Sequence, residues 1–224
     1  GRFGAGEVVW AATIALTLYF IALPVGYLFY SAFTVGGVPS LANLWDYFLA
    51  DPRMLAAARN SLVFAVSVAV VSVLVGVPLA FGVSRTDMAW KELVRTTVLV
   101  AIITPPFLRA MAYILLFGPN AGQINVLLRN WFFPWMSSGP FNVYSLEGLI
   151  LLSTPIGIAQ VFILTSTALS QMDPALEEAA RTSGARIGTT IARITLPICR
   201  NAILAGALMS FAIALSLYGT PHLL

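Results

Sequence analysis

Residues 171–197 read QMDPALEEAARTSGARIGTTIARITLP and decide the fold, because three acids and three arginines stand here between two long apolar blocks. Asp173 followed by Pro174 predicts a helix start, since Asp accepts a bond from the free N–H groups of a first turn and Pro suits the first helical position. Gly184 predicts a helix end, because glycine readily adopts the left-handed backbone that terminates helices.

The second half of this stretch predicts another short helix over residues 185–195, and Pro197 then opens the next apolar block. The segment is therefore predicted to be a polar pair of helices, residues 173–195, held between two membrane spans. A polar loop of this size indicates that another protein docks on it.

The composition identifies the class of protein. Of the 224 residues, 59% are hydrophobic and only 9% are charged, whereas soluble domains carry about a quarter charged residues. A water-soluble fold of this size could not bury so much apolar surface, so the chain is predicted to be an all-α polytopic membrane protein. Its single cysteine allows no internal disulfide.

Five apolar blocks are long enough to cross a hydrocarbon core, which takes ~20 helical residues. The loop over 118–144 has an aromatic cluster at 131–135 that is typical of a membrane interface, so it predicts an interfacial or re-entrant element rather than a span. The five predicted spans are residues 8–30, 61–83, 93–117, 146–169 and 196–217.

The polar stretch resembles a known family. It fits the pattern E-A-A-x3-G-x9-I-x-L-P, which resembles the cytoplasmic coupling loop of the permease subunit of a binding-protein-dependent ABC importer. The resemblance implies a type I importer permease fold with a sixth span, which is not visible here, and a loop that fits a cleft on an ATPase subunit. The matching residues, and hence the implied ATPase-coupling residues, are Glu178, Ala179, Ala180, Gly184, Ile194, Leu196 and Pro197.

The resemblance also implies partners: a dimer of ABC ATPase subunits, an extracytoplasmic substrate-binding protein, and a second permease unit that is identical, paralogous or fused. Further motifs resemble permeases of the ferric-iron, polyamine and phosphonate importers. They are Asn60-Ser61-Leu62, Pro105 to Arg109, GPNAGQIN at 118–125, NVYSL at 142–146 and YGTPHLL at 218–224.

The placement of lysine and arginine predicts the orientation in the cell inner (cytoplasmic) membrane. With the polar loop inside, alternation of the spans puts the amino terminus in the cytoplasm as well. Three basic residues then lie outside: Arg53, Arg59 and Arg129. Eight lie inside: Arg2, Arg85, Lys91, Arg95, Arg181, Arg186, Arg193 and Arg200.

The third block holds the candidate translocation path. Pro105 and Pro106 remove two backbone donors and predict a kink or a local unwinding. Arg109 follows within the block, where a cation costs about 2.5–3.5 kcal/mol at the helix centre and normally faces a polar cavity or a partner. Arg109 either lines the path or extends its long side chain to the outer surface. Tyr218 is a further path candidate, in a segment that is either an outer gate or a helix-ending turn.

Several kinds of chemistry lack their residues in this sequence. There is no Gly-rich loop ending in Gly-Lys-Ser or Gly-Lys-Thr, so ATP hydrolysis is expected on a partner subunit and the chain is not expected to be an enzyme. One histidine and one cysteine give no basis for a metal site or a cofactor. A proton-coupled secondary transporter is the alternative class, but it would need acids or histidines inside the membrane, and these are scarce.

The substrate follows less directly. A polyamine path should offer acids or aromatic cages to a cation, and the spans have almost no acids, Glu147 at the end of the fourth block being the nearest. Arg109 would tolerate an anion or an anion-chelated metal. The sequence therefore favours ferric iron or phosphonate as substrate, with a spermidine- or putrescine-type polyamine as the alternative.

Overall fold

A computed structural model describes residues 5–46 and 50–217 of the chain, and in these residues it is mostly helical, which confirms the predicted all-α class. The helices are α1 (Ala5–Ala32), α2 (Ala42–Leu44), α3 (Pro52–Arg85), α4 (Lys91–Ile103), α5 (Pro106–Phe117), α6 (Gln123–Trp131), α7 (Leu146–Gln171), α8 (Ala175–Thr182), α9 (Ile187–Thr190) and α10 (Leu196–Ser216), with a short hairpin of β1 (Thr34–Val35) and β2 (Val38–Pro39). Among the residues that the structure describes, four helical segments are long and apolar enough to cross a membrane, or five if one bent pair counts as a span.

The chain divides into two compact units, residues 1–60 and 61–224. In the first unit, α1 is followed by the β1–β2 hairpin, whose two-residue turn is Gly36-Gly37 with φ angles of +59° and +83°. Positive φ at both central positions is the requirement of the tight turn that fits the twist of a hairpin, and glycine meets it without strain. The side-chain amide of Asn43 then donates to the carbonyls of Ser31 and Thr34, which fixes α2 against the end of α1.

The second predicted span needs a correction at its start. α3 begins at Pro52 rather than at residue 61, so the residues around Arg53 and Arg59 are helical and continuous with the apolar run. Pro52 explains the start, because proline fits the first turn of a helix, and the Asp51 carboxylate accepts a bond from the Arg53 N–H at 2.8 Å.

The core of the second unit forms where α3, α7 and α10 meet through small residues. A β-carbon on Gly76 of α3 would lie 2.9 Å from the β-carbon of Val161 in α7, and one on Gly206 of α10 would lie 2.9 Å from the α-carbon of Val161. The Ser210 hydroxyl of α10 donates to the carbonyl of Gly157 at 3.1 Å. Small residues at such contacts let helix backbones approach closely, which is how helices associate where lipid removes the hydrophobic driving force.

Two apolar clusters flank this contact layer. One joins α3 to the start of α7 and the end of α10, and its buried members are Phe64, Ala65, Val68 and Ala214. The other also includes α4, and its buried members are Ala80, Val83, Val98, Ala159, Phe162, Leu169 and Cys199. The second cluster lies at the same end as the polar helices that follow α7.

The third apolar block is not one straight span. The chain bends by 109° between α4 and α5, so the pair is a broken span or a re-entrant loop. Thr104 and Pro105 are extended, with ψ angles of 119° and 139°, and Pro106 opens α5. The kink predicted from the two prolines is confirmed, because neither can donate the N–H that would continue α4.

The loop that follows α5 is folded around Asn125. This side chain is 1% exposed, and its amide donates to the carbonyls of Phe117, Gly118 and Phe141 while its oxygen accepts from the Phe141 N–H. Asn125 thus satisfies the free carbonyls at the end of α5 and attaches the loop to them. α6 is nine residues long, too short to span a bilayer, and Trp131 and Trp135 are exposed.

Candidate functional site

The first helix of the polar segment begins and ends as the sequence predicts. The Asp173 carboxylate accepts a 2.9 Å bond from the Ala175 N–H at the start of α8. At the other end Gly184 has a φ of +85°, its N–H donates to the Arg181 carbonyl, and the Ala185 N–H donates to the Ala180 carbonyl. This pair of bonds is the Schellman motif, which ends a helix through a left-handed glycine. α8 is therefore a short helix that is closed at both ends.

The second half of the segment differs from the prediction of a separate helix over 185–195. α9 passes into one π-helical turn, Ile191–Thr195, and then directly into α10, so residues 187–216 form a continuous helical rod. The Leu196 N–H bonds to the Ile191 carbonyl, five residues back. Pro197 has no N–H to donate, and the wide turn before it lets the helix pass this residue without a break.

Most of the predicted coupling residues are accessible on the surface of this segment. In α8, Glu178 and Ala179 are exposed and Ala180 is half-buried, while Gly184 is exposed in the turn that follows. On the rod, Ile194 is half-buried, and Leu196 and Pro197 are exposed. The exposed members form a surface that a partner could cover. Among the described residues, none beyond the two chain neighbours of Gly184 has an atom within 4 Å of where a β-carbon would lie.

The structure adds three functional candidates that the sequence analysis did not single out. Arg85, at the end of α3, donates to the carbonyls of Leu169 and Met172 at 2.7 and 2.9 Å, and its Nε lies 3.5 Å from Oε2 of Glu177. The other carboxylate oxygen of Glu177 accepts a 2.6 Å bond from the Thr195 hydroxyl. The adjacent acids of α8 therefore differ, since Glu177 faces the spans whereas Glu178 is exposed.

An open cavity of about 790 Å³ adjoins this ion pair. It lies between the turn that joins α3 to α4 and the helices α8 and α9. Its lining carries both signs of charge: Arg85, Lys91 and Arg181 are basic, and Asp87, Glu177 and Glu178 are acidic. A cavity with this lining suits charged protein groups better than an apolar ligand.

Arg109 is buried within its own unit, with 7% exposure. Its Nη1 donates to the Ala101 carbonyl at 3.2 Å. That carbonyl would accept from residue 105 in a continuous helix, but Pro105 has no N–H. The guanidinium therefore supplies the donor that the proline removed.

The remaining path candidates are placed only in part. Pro105 and Pro106 lie at the bend, whereas Tyr218 lies outside the described residues. Among the residues that the structure describes, no three His, Cys, Asp or Glu side chains are grouped closely enough to hold a metal ion.

Comparisons with known proteins identify the family. The family described as "Binding-protein-dependent transport system inner membrane component" matches residues 53–224. A probable molybdenum ABC transporter permease of Haloferax volcanii is 31% identical over 211 residues, which are 93% of this chain and 70% of that protein. The sulfate transport system permease CysW of Escherichia coli is 28% identical over 232 residues, and the alignment covers 97% of this chain and 72% of CysW.

A molybdate/tungstate transport system permease, WtpB of Pyrococcus abyssi, is 30% identical over 171 residues, or 75% of this chain and 60% of its own. Among solved structures, a bacterial alginate ABC transporter in complex with an alginate-bound periplasmic protein aligns with a TM-score of 0.70. That alignment has 16% identity and covers 96% of this chain and 78% of the other. At this identity the likeness concerns the fold alone.

Proposed function

The chain belongs to the family of binding-protein-dependent transport system inner membrane components, and on that premise we propose that it forms the translocation path for a small oxyanion and is driven by a separate ATPase. Membership makes it a multi-pass permease component of an ABC importer. The substrate, the docking residues and the orientation go beyond membership and are proposals.

The substrate proposal rests on the names of the relatives. The three described above are permeases for molybdenum, sulfate and molybdate or tungstate. Molybdate, tungstate and sulfate are tetrahedral dianions, so these relatives favour an oxyanion over the ferric iron or polyamine that the sequence motifs suggest. A phosphonate carries a tetrahedral anionic group like those of the three oxyanions, so the uptake test includes it as an alternative substrate.

The docking proposal rests on the shape of the polar segment. α8 is closed at both ends, Glu178 and Ala179 are exposed on it, and Gly184 is exposed in the turn that follows it. We assign the cleft of an ABC ATPase to this surface, with Glu178 pairing with a cation of the partner and the small residues allowing a close approach. Ala180, Ile194, Leu196 and Pro197 complete the contact.

The continuous rod from 187 to 216 gives a mechanism for coupling. α8 follows α7 after a three-residue link, and α9 continues into α10, so a movement imposed on the docked helices is passed directly to two spans. ATP binding closes the ATPase dimer, the α8–α9 pair moves with it, and the spans switch the cavity from inward-open to outward-open. The orientation with a cytoplasmic amino terminus puts the loop on the side where ATP is available.

Arg109 is proposed to act on the path through its charge. It is a buried cation beside a helix break, and broken helices at membrane depth are tolerated beside protein or a water-filled cavity. One bond to Ala101 leaves most of its donors free for other partners, since a guanidinium carries five N–H donors. Its positive charge favours an anion in transit.

The test is purification and reconstitution of the complete transporter. The tagged chain should be extracted from its native membrane together with an ATPase subunit, and proteoliposomes of this complex with its binding protein should take up molybdate in an ATP-dependent way. Sulfate, a phosphonate, ferric citrate and spermidine serve as competitors. Purification without an ATPase would contradict the transporter class, and uptake of ferric iron or spermidine but no oxyanion would contradict the substrate.

A further inference from the structure

The guanidinium of Arg85 joins three elements at the base of the polar segment. It donates to Leu169, in the last turn of α7, and to Met172, the first residue after α7. It also lies 3.5 Å from Glu177, in the first turn of α8. Arg85 thus contacts the chain on both sides of the short link, residues 172–174, that separates the span from the docked helix.

We propose that Arg85, Glu177 and Thr195 form a clamp that holds α8 at a fixed angle to α7 and α10, so that force applied to α8 moves the spans instead of bending the link. This Arg85–Glu177–Thr195 clamp rests on the proposed docking of an ATPase on α8. It assigns positioning roles to three residues, none of which is a member of the docking pattern.

The positive charge of Arg85 suits its position at the C-terminal end of α7. Free carbonyls at a helix C-terminus carry partial negative charge, and a cation there is stabilised by the helix dipole. Arginine suits this place because its Nη2 donates to both carbonyls, while its Nε lies 3.5 Å from the Glu177 carboxylate, in ion-pair range but without a hydrogen bond to it.

Burial makes the clamp stronger than an ordinary surface ion pair. The Arg85 and Glu177 side chains are only 12% and 19% exposed, and Thr195 is 2% exposed. Exposed pairs contribute little because water and salt screen them, whereas a partly buried pair is screened much less. The 2.6 Å bond from Thr195 then fixes the carboxylate from the α10 side.

The two neighbouring acids of α8 therefore have separate roles. Successive residues of a helix point about 100° apart, so Glu177 and Glu178 cannot both face the spans. Glu177 is directed inward to the clamp, and Glu178 is exposed to the partner. Loss of Glu178 should weaken the binding of the ATPase, whereas loss of Glu177 should leave binding intact and weaken the transmission of movement.

The test uses the whole transporter and the isosteric substitution Glu177→Gln, which keeps an oxygen for Thr195 but removes the charge that faces Arg85. The matched control is Glu92→Gln, which breaks an exposed ion pair with Arg95 at 2.8 Å. We expect both variants to co-purify with the ATPase. Molybdate transported per ATP hydrolysed should fall about five- to tenfold in Glu177→Gln and stay unchanged in Glu92→Gln.

A second readout measures position directly. Spin labels on two exposed residues, Trp90 and Arg181, should give a narrow distance distribution in the parent complex and a broad one in Glu177→Gln and Thr195→Val. Unchanged distances with unchanged transport per ATP would overturn the clamp, and so would equal losses in Glu177→Gln and Glu92→Gln. Failure of the parent chain to bind any ATPase would overturn the proposed function instead, and the clamp's coupling role with it.

Discussion

Gly157 of α7 lies so close to Ser72 of α3 that a β-carbon at position 157 would overlap the Ser72 hydroxyl. Ser210 approaches the same point from α10 and donates to the Gly157 carbonyl. Three helices therefore meet at Gly157, which has no side chain. The spacing of the helices in this part of the bundle depends on that glycine.

Gly157→Ala is expected to destabilise the chain by about 1–3 kcal/mol, the usual cost of overpacking. Ser72→Ala in the same chain should recover part of this loss, since it removes the atom that the new methyl group meets first. Thermal unfolding of the detergent-solubilised protein measures both effects as a double-mutant cycle. The control is Gly26→Ala, where a β-carbon would meet no described atom within 4 Å beyond its chain neighbours and the backbone of its own helix. Equal losses of stability at positions 157 and 26 would contradict the close contact at Gly157.

Asn125 should be needed for the fold of the loop after α5. Asn125→Asp keeps the oxygen that accepts from the Phe141 N–H but places a second oxygen against three carbonyls. These buried carbonyls lose their donor, which should lower the free energy of unfolding by about 1–3 kcal/mol. The expected result is faster proteolysis between residues 118 and 145 and a lower unfolding temperature. Asn130→Asp is the control, because Asn130 is exposed on the same helix. Equal proteolysis of the two variants would show that Asn125 does not organise the loop.

Arg109 has a structural and a transport role that different substitutions should separate. Arg109→Lys keeps the positive charge with a donor that can still bond Ala101, whereas Arg109→Met removes the charge with a side chain of similar length. The Arg109→Lys variant should retain part of the molybdate uptake, and the Arg109→Met variant should lose it. Both variants should still bind the ATPase. If Met transports molybdate as well as Lys does, the charge has no part in transport and Arg109 only stabilises the bend at Pro105.

The features that the sequence predicted are those that depend on neighbouring residues. The Asp173 cap, the left-handed Gly184 and the bend at two adjacent prolines each follow from the backbone chemistry of a few positions. These requirements hold whatever surrounds them, so a local pattern is sufficient.

The features that the sequence did not predict depend on distant residues. Arg85 donates to the carbonyl of Leu169, which is 84 positions away in the sequence, and no local pattern near either residue predicts this contact. The adjacent acids Glu177 and Glu178 look equivalent in the motif, and only the packing of α8 distinguishes them. Pro197 was expected to begin a new helix, but a π-turn, which has no clear sequence signal, carries the helix through it.

Gly184 offers the sharpest test of docking, because its own chain leaves space around it. Its φ of +85° strains any residue with a β-carbon, at a cost of roughly 1–2 kcal/mol, although asparagine tolerates this conformation better than most. Gly184→Asn should therefore retain association with the ATPase, and Gly184→Ala should reduce it modestly.

Gly184→Trp should insert into the membrane normally yet abolish stimulation of the ATPase by the loaded binding protein. Apart from its two chain neighbours, no described atom of the chain lies within 4 Å of the β-carbon position, and the backbone strain is common to both variants. A loss that is much larger in Trp than in Ala therefore indicates contact with a partner. Membrane insertion, co-purification and stimulated ATP hydrolysis are measured on the same three variants. Normal stimulation in Gly184→Trp would mean that this turn does not enter a cleft on the ATPase, and the docking surface would have to be sought elsewhere on the chain.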